Sequence, residues 1–202
     1  MRCLPTLVIA ASLAAFGAVT LPACAQHPLH NSDVAVSAFG QFSTTVSGNG
    51  ITQSTSDSIG GQAAFRHSYH WWLGYEGSYA YTRFNEYYTG QPYSYQHNLH
   101  DFSGAYLVTA PGLLGFHPFA EVGASALVFS PSLNGGQHAT WQGRPALNFS
   151  VGINQALFTS HFGVRIQYRG LYYKAPDFGE AALTTGSRRL TSEPMIGLFL
   201  RF

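Results

Sequence analysis

Two groups of residues in this sequence could do chemistry, and of different kinds. The first is drawn from nine histidines. In the run His67-Ser68-Tyr69-His70 a hydroxyl stands between imidazoles, the pairing in which histidine takes the proton of a serine nucleophile. No carboxylate has a supportable position for orienting either ring, so the third member of such a site is missing. His97 and His100 could ligate a metal, but three residues apart on an extended strand they face opposite sides. The second group is ionic: Arg66, Glu76, Asp101, Glu121, Arg165, Arg169 and Arg201. Opposite charges gathered in one dry enclosure pair and hydrogen-bond to each other, which is a structural chemistry. No catalytic residue, metal ligand or cofactor is assigned, and the chain reads as non-enzymatic.

Whether those charges meet depends on the elements that carry them, and there the apolar period is two. Phe162, Val164, Ile166 and Tyr168 alternate with Gly163, Arg165, Gln167 and Arg169. Leu147, Phe149, Val151 and Ile153 alternate with Asn148, Ser150, Gly152 and Asn154, and Leu73 to Thr82 repeats the pattern. The alternation predicts strands at roughly 33–43, 57–67, 71–83, 97–109, 116–129, 143–155, 160–173 and 192–202. Each is long enough for the roughly 9–11 residues with which a tilted strand crosses a bilayer. The polar, glycine-bearing register would face inward and carry the seven charges. An eight-stranded cylinder has room only for its own side chains, so they should fill it as a plug.

Composition agrees. Charged residues make up 9% of the chain and aromatic ones 15%, where an ordinary soluble domain has about 25% charged. A net charge of +1 gives no reason to expect nucleic-acid binding. At the N-terminus, Arg2, an apolar run from Leu7 to Leu21 and the small-residue triplet Ala23-Cys24-Ala25 read as a signal peptide over residues 1–25. The rival processing route makes Cys24, after Leu21-Pro22-Ala23, a lipidated first residue. With cleavage after Ala25, both cysteines leave with the leader, and disulfides and thiolate metal sites are excluded from the mature chain. No second apolar run is long enough for a spanning helix, so a poorly charged, aromatic, exported chain points to a barrel wetted by lipid.

The connections are expected to alternate, with long ones at STTVSGNGITQSTS, FNEYYTGQPYSYQ, SPSLNGGQHATWQ and KAPDFGEAALTTGSRRLT and short ones between. Aromatic girdles are expected at two rims: Tyr69, Trp71, Trp72, Phe158, Phe162 and Phe202 at one, and Tyr81, Phe84, Tyr87, Tyr88, Tyr93, Tyr95, Trp141, Tyr172 and Tyr173 at the other. Of these, Tyr87, Tyr88, Tyr93, Tyr95 and Trp141 form a possible loop surface for a glycan or protein ligand. Arg188 and Arg189 are candidates to bridge lipopolysaccharide phosphates.

In the final stretch MIGLFLRF, Ile196, Leu198, Leu200 and Phe202 share one side of a strand. This tail resembles the C-terminal assembly signal of bacterial outer-membrane proteins. The succession of strands and loops resembles the eight-stranded OmpA-type and OmpX-type family, barrel domain only. The resemblance implies an all-β, eight-stranded antiparallel up-and-down transmembrane barrel over residues 26–202, with both termini in the periplasm. Implied partners are outer-membrane lipid and lipopolysaccharide, and the barrel assembly machinery through the last strand; the protein would be a monomer. The His67–His70 run is similar to the His and Ser pairing of lipid A deacylase barrels. It maps to a periplasmic turn, however, far from the outer leaflet where those hydrolases work. Two other readings stay open: a narrow ion channel, and an exported soluble or lipidated β-sandwich.

Overall fold

Side chains that alternate apolar and polar over ten or more residues can satisfy both faces only in a sheet with two different surroundings. The computed structural model describes residues 31–90, 94–112, 114–132 and 140–202. Residues 1–30, with Cys3 and Cys24, and Tyr93 lie outside the described residues. The strands are β1 (Ser32–Ser43), β2 (Val46–Gly48), β3 (Ile51–Thr55), β4 (Ser58–His70), β5 (Leu73–Tyr88), β6 (Ser94–Thr109), β7 (Phe116–Pro131), β8 (Gln142–Thr159), β9 (Phe162–Lys174) and β10 (Arg188–Arg201). All but β2 and β3 form the wall, each antiparallel to its neighbours, and β1 pairs with β10 from Asp33 opposite Arg201 to Ser43 opposite Thr191. The sheet is therefore closed, which removes the free edges an open one would present.

Closure sorts the side chains by parity. Along β1, Asp33, Ala35, Ser37, Phe39 and Gln41 are buried inside, while Val34, Val36 and Ala38 point out. The exterior is the greasy side: Val36 is 71% exposed, Ile59 82% and Val151 58%. That is the inverse of a water-soluble sheet. Curvature needs small residues under large ones. A Cβ on Gly152 would lie 2.5 Å from Phe119 Cζ, and one on Gly163 2.5 Å from Phe199 Cζ. These glycines let two rings lie flat against the inner wall.

The ends of the elements depart from the expected pattern at the loop end of the barrel. The second expected loop is mostly strand, because β5 and β6 rise as a hairpin to Glu86–Tyr95 and Tyr87–Ser94 rungs. Tyr88 and Tyr95 consequently point inward, at 4% exposure each. Phe84 and Tyr173 are buried as well, so these four aromatics do not belong to an outer girdle. Tyr81, Tyr87, Trp141 and Tyr172 do face out, as do Tyr69, Trp71, Trp72 and Phe202 at the turn end. The first expected loop holds the β2–β3 hairpin, turned by Asn49 (φ 53°) and Gly50 (φ 77°), a pairing that suits a tight hairpin turn. β3 pairs with β5 beyond the end of β4 and so extends the wall.

The segment between β9 and β10 folds over the opening. Phe178 and Leu183, 1% exposed each, insert among Phe84, Tyr88, Tyr95, Leu99, Leu127, Phe129 and Tyr173. One side of this stopper is clasped by β8: Asp177 accepts from Gln142 Nε2 (2.6 Å) and Arg144 Nη2 (3.0 Å), while Gln142 Oε1 accepts from the backbone N–H of Asp177 and Phe178. The other side is held by the hairpin, where Asn49 donates to Thr184 O and Ser187 Oγ to Ser47 O. Burial opposes ionisation of Asp177, but hydrogen bonds from Gln142 and the Gly179 N–H, with the Arg144 charge, outweigh it and hold the carboxyl below its usual range. A depressed folded-state value means that the clasp contributes fully above the ordinary carboxylate range and is lost as pH falls through the lowered value. With Trp71 and Trp72 replaced by Phe, emission from Trp141, adjacent to Gln142, is expected to stay constant from neutrality to about pH 4 and to change below. Asp177→Asn should show the changed emission already at neutral pH, at a cost of about 1 kcal/mol.

Candidate functional site

The interior is where this chain gathers its chemistry. Six carboxylates, Asp33, Glu76, Glu86, Asp101, Glu121 and Glu193, and four guanidiniums, Arg66, Arg165, Arg169 and Arg189, are buried there at 7% exposure or less. Each arrives by strand parity from a different part of the wall, and they stack in three tiers.

The tier nearest the turn end centres on two arginines. Arg66 Nε meets Glu76 Oε2 at 2.5 Å and its Nη2 meets Glu121. Arg165 Nη2 meets Asp33 Oδ1 at 2.7 Å and its Nε donates to Asn154 Oδ1 at 2.8 Å. Glu121 also accepts from Ser150 Oγ (2.5 Å) and Gln167 Nε2 (3.1 Å). The Phe119 ring, seated over Gly152, lies 4.1 Å from the Arg66 guanidinium, and Phe199 lies 5.4 Å from that of Arg165, both within cation–π range. The middle tier belongs to Arg169, which meets Asp101 Oδ2 at 2.9 Å and Glu193 Oε2 at 2.5 Å. Ser103 Oγ donates to Asp101 at 2.8 Å, and Ser103 and Ser125 hydroxyls lie 2.8 Å apart.

In the upper tier, Arg189 Nη1 meets Glu86 Oε1 at 2.6 Å, and the other carboxylate oxygen accepts from Tyr88 OH (2.8 Å) and from Gln53 Nε2. Gln53 also donates to Pro176 O at 3.1 Å, which ties the charge tier to the stopper above it. His97, fully buried, lies 3.9 Å from Glu86 Oε1 with Phe84, Phe129 and Phe178 rings around it.

Of the seven charges singled out in sequence, six enter this network. Arg201 does not: it is exposed at the turn end, stacked 5.5 Å from the Phe199 ring and without an ion-pair partner among the described residues. The last rung of the barrel leaves it beyond the packed interior, beside a cavity of about 360 Å³ that also touches Asp33, Arg66, His70 and His117. Asp33, Glu86, Arg189 and Glu193 were not anticipated. Arg189 is fully buried, so it cannot meet lipopolysaccharide on the exterior. Its parity with Thr191 and Glu193, all inward while Arg188 and Leu190 face out, was the available signal. Of the proposed loop contact surface, Tyr87 and Trp141 are exposed, at 46% and 70%. Tyr88 and Tyr95 are interior, and Tyr93 is outside the described residues.

The histidines separate. His67 Nδ1 lies 2.9 Å from Ser32 Oγ on the neighbouring strand, not from Ser68. His97 is inside, while His100 faces out and bonds the Tyr79 hydroxyl at 2.9 Å. Among the described residues no three His, Cys, Asp or Glu side chains converge as a metal site would require.

No family model and no curated protein matches the sequence. Solved structures do. Neisserial surface protein A superposes with a TM-score of 0.60 at 15% identity, over 85% of this chain and 97% of that one. The outer-membrane protein OprG of Pseudomonas aeruginosa gives 0.59 at 10% identity, over 86% and 96%. Ail, the attachment invasion locus protein of Yersinia pestis, gives 0.51 at 16% identity, over 86% and 99%. The fold of this chain is that of the eight-stranded outer-membrane β-barrels.

Proposed function

We propose that the protein is a monomeric, non-enzymatic barrel of a bacterial outer membrane whose lumen is shut, which leaves its role to the loops. That role is envelope structure or contact with a glycan or protein outside the cell. One observation carries the reading: ion pairs and hydrogen bonds cross the interior at three levels, and Phe178 and Leu183 close the end above them. The apolar exterior favours hydrocarbon as its surroundings. In this reading the leader is cut after Ala25 and both termini lie in the periplasm. Ile196, Leu198, Leu200 and Phe202, all outward-facing, present the last strand to the assembly machinery. Lipopolysaccharide is the lipid of the outer leaflet around it.

Purified protein is expected to migrate faster on a gel when unboiled, and to give no discrete conductance steps in planar bilayers. Reproducible steps would establish the narrow channel instead.

The buried pairs serve folding. Arg169→Met strands Asp101 and Glu193 without a counter-charge and should lower stability by about 3–5 kcal/mol, read from urea unfolding in lipid vesicles. Replacing all three by apolar residues of similar volume should recover most of that loss.

Contact through the loops rests on Tyr87 and Trp141, exposed aromatic faces of the kind that stack on sugars. Tyr87→Ala with Trp141→Ala should weaken glycan binding by roughly tenfold; an unchanged glycan-array profile would remove these residues from the role.

A further inference from the structure

Every basic side chain inside the barrel has a carboxylate partner. Three of those on the outer surface at the loop end, Arg83, Lys174 and Arg188, have none among the described residues. Two of the three are adjacent. Lys174 and Arg188 face each other on the last rung between β9 and β10, and directly opposed side chains in an antiparallel pair have Cβ atoms about 4.5–5.5 Å apart. Both are exposed and both share the outward parity of Tyr172 and Leu190, the rung below. Like charges so placed repel each other and destabilise the rung. The repulsion is relieved when a single anion sits between them.

Their setting says what kind of anion. Below the pair the outward face is Tyr172 with Leu190, Gly170 with Ser192, Tyr168 with Pro194, Ile166 with Ile196 and Val164 with Leu198; the Phe149 ring lies over Gly170, so that Ser192 is the one polar side chain on an otherwise apolar track down the wall. The Arg188 guanidinium lies 5.5 Å from the Tyr172 ring, a contact that holds the cation at the upper border of that track. A bound molecule would therefore be anionic at the top and apolar beneath. We infer that Lys174 and Arg188 form a clamp for the phosphate of an outer-leaflet glycolipid whose acyl chains lie along the β9–β10 face. Tyr172 forms the floor of the headgroup site. The inference rests on the membrane reading above and names the lipid contact that reading leaves general. Arg189, next in sequence, takes no part, because its side chain is committed to Glu86 inside.

The test is native mass spectrometry of the detergent-purified full chain titrated with bisphosphorylated lipid A or its dephosphorylated form, with the unboiled-gel shift read on the same samples. Wild-type protein is expected to retain the phosphorylated lipid in preference. K174Q/R188Q should lose roughly thirtyfold in apparent affinity, about fivefold per charge, and keep its gel shift. R83Q, which removes a cation elsewhere on the same rim, should bind as wild type does. Equal retention by K174Q/R188Q, equal loss in R83Q, or no preference for phosphate would overturn the clamp. Absence of the gel shift in the wild-type protein would count against the barrel reading alone.

Discussion

A closed wall of eight strands has an interior little wider than its own side chains, and most of this structure follows from that restriction. Any charge that parity turns inward must find its counter-charge and its hydrogen bonds within a few ångströms, since a lone buried ion costs several kcal/mol. Arg66, Arg165, Arg169 and Arg189 each meet that demand with a carboxylate from another strand. Each pair therefore joins strands that need not be neighbours: Arg66 on β4 reaches Glu121 on β7 across the lumen, and Arg189 on β10 reaches Glu86 on β5. Backbone hydrogen bonds fix the circumference, and the ion pairs act as cross-braces over the diameter.

The two ends of the interior are finished differently. Toward the turn end, charge persists to the mouth, where Asp33 and Arg66 border a cavity. Toward the loop end, the ion pairs give way to a packed aromatic layer that Phe178 and Leu183 complete. Gln53 belongs to both regimes, since it donates to Glu86 below and to Pro176 above. The stopper is thus hydrogen-bonded to the uppermost charge tier as well as packed on the aromatics, and shifting it would expose a buried carboxylate together with apolar surface.

Much of this was legible in the sequence because a period of two is a strong local signal. Parity alone places Arg66, Glu76, Asp101, Glu121, Arg165 and Arg169 on one inner surface, and it would equally have placed Asp33 and Glu193. What parity does not carry is where a strand stops. Polar runs such as Thr184–Thr191 read as loop, so Arg189 looked like a surface residue although it sits on the inward register of β10. The same error hid Tyr88 and Tyr95, because a strand that continues above the wall is as polar outside as a loop. Asn49-Gly50 was a hairpin signal that the length of the linker obscured. Partner choice across the lumen was not legible at all, for it depends on the stagger of the closed sheet and has no local correlate.

The near-neutral total of +1 conceals a segregation of charge. Inside, six acidic side chains face four guanidiniums. Among the described residues the cations without carboxylate partners, Arg83, Lys174, Arg188 and Arg201, lie outside or at the mouth. Guanidiniums turned inward are neutralised by carboxylates of the wall itself, while those turned outward are left for solvent or an external anion to neutralise. What distinguishes the observed arrangement is that each guanidinium buried by parity meets a carboxylate, whereas Arg83, Lys174 and Arg188, on the outward register, meet none among the described residues.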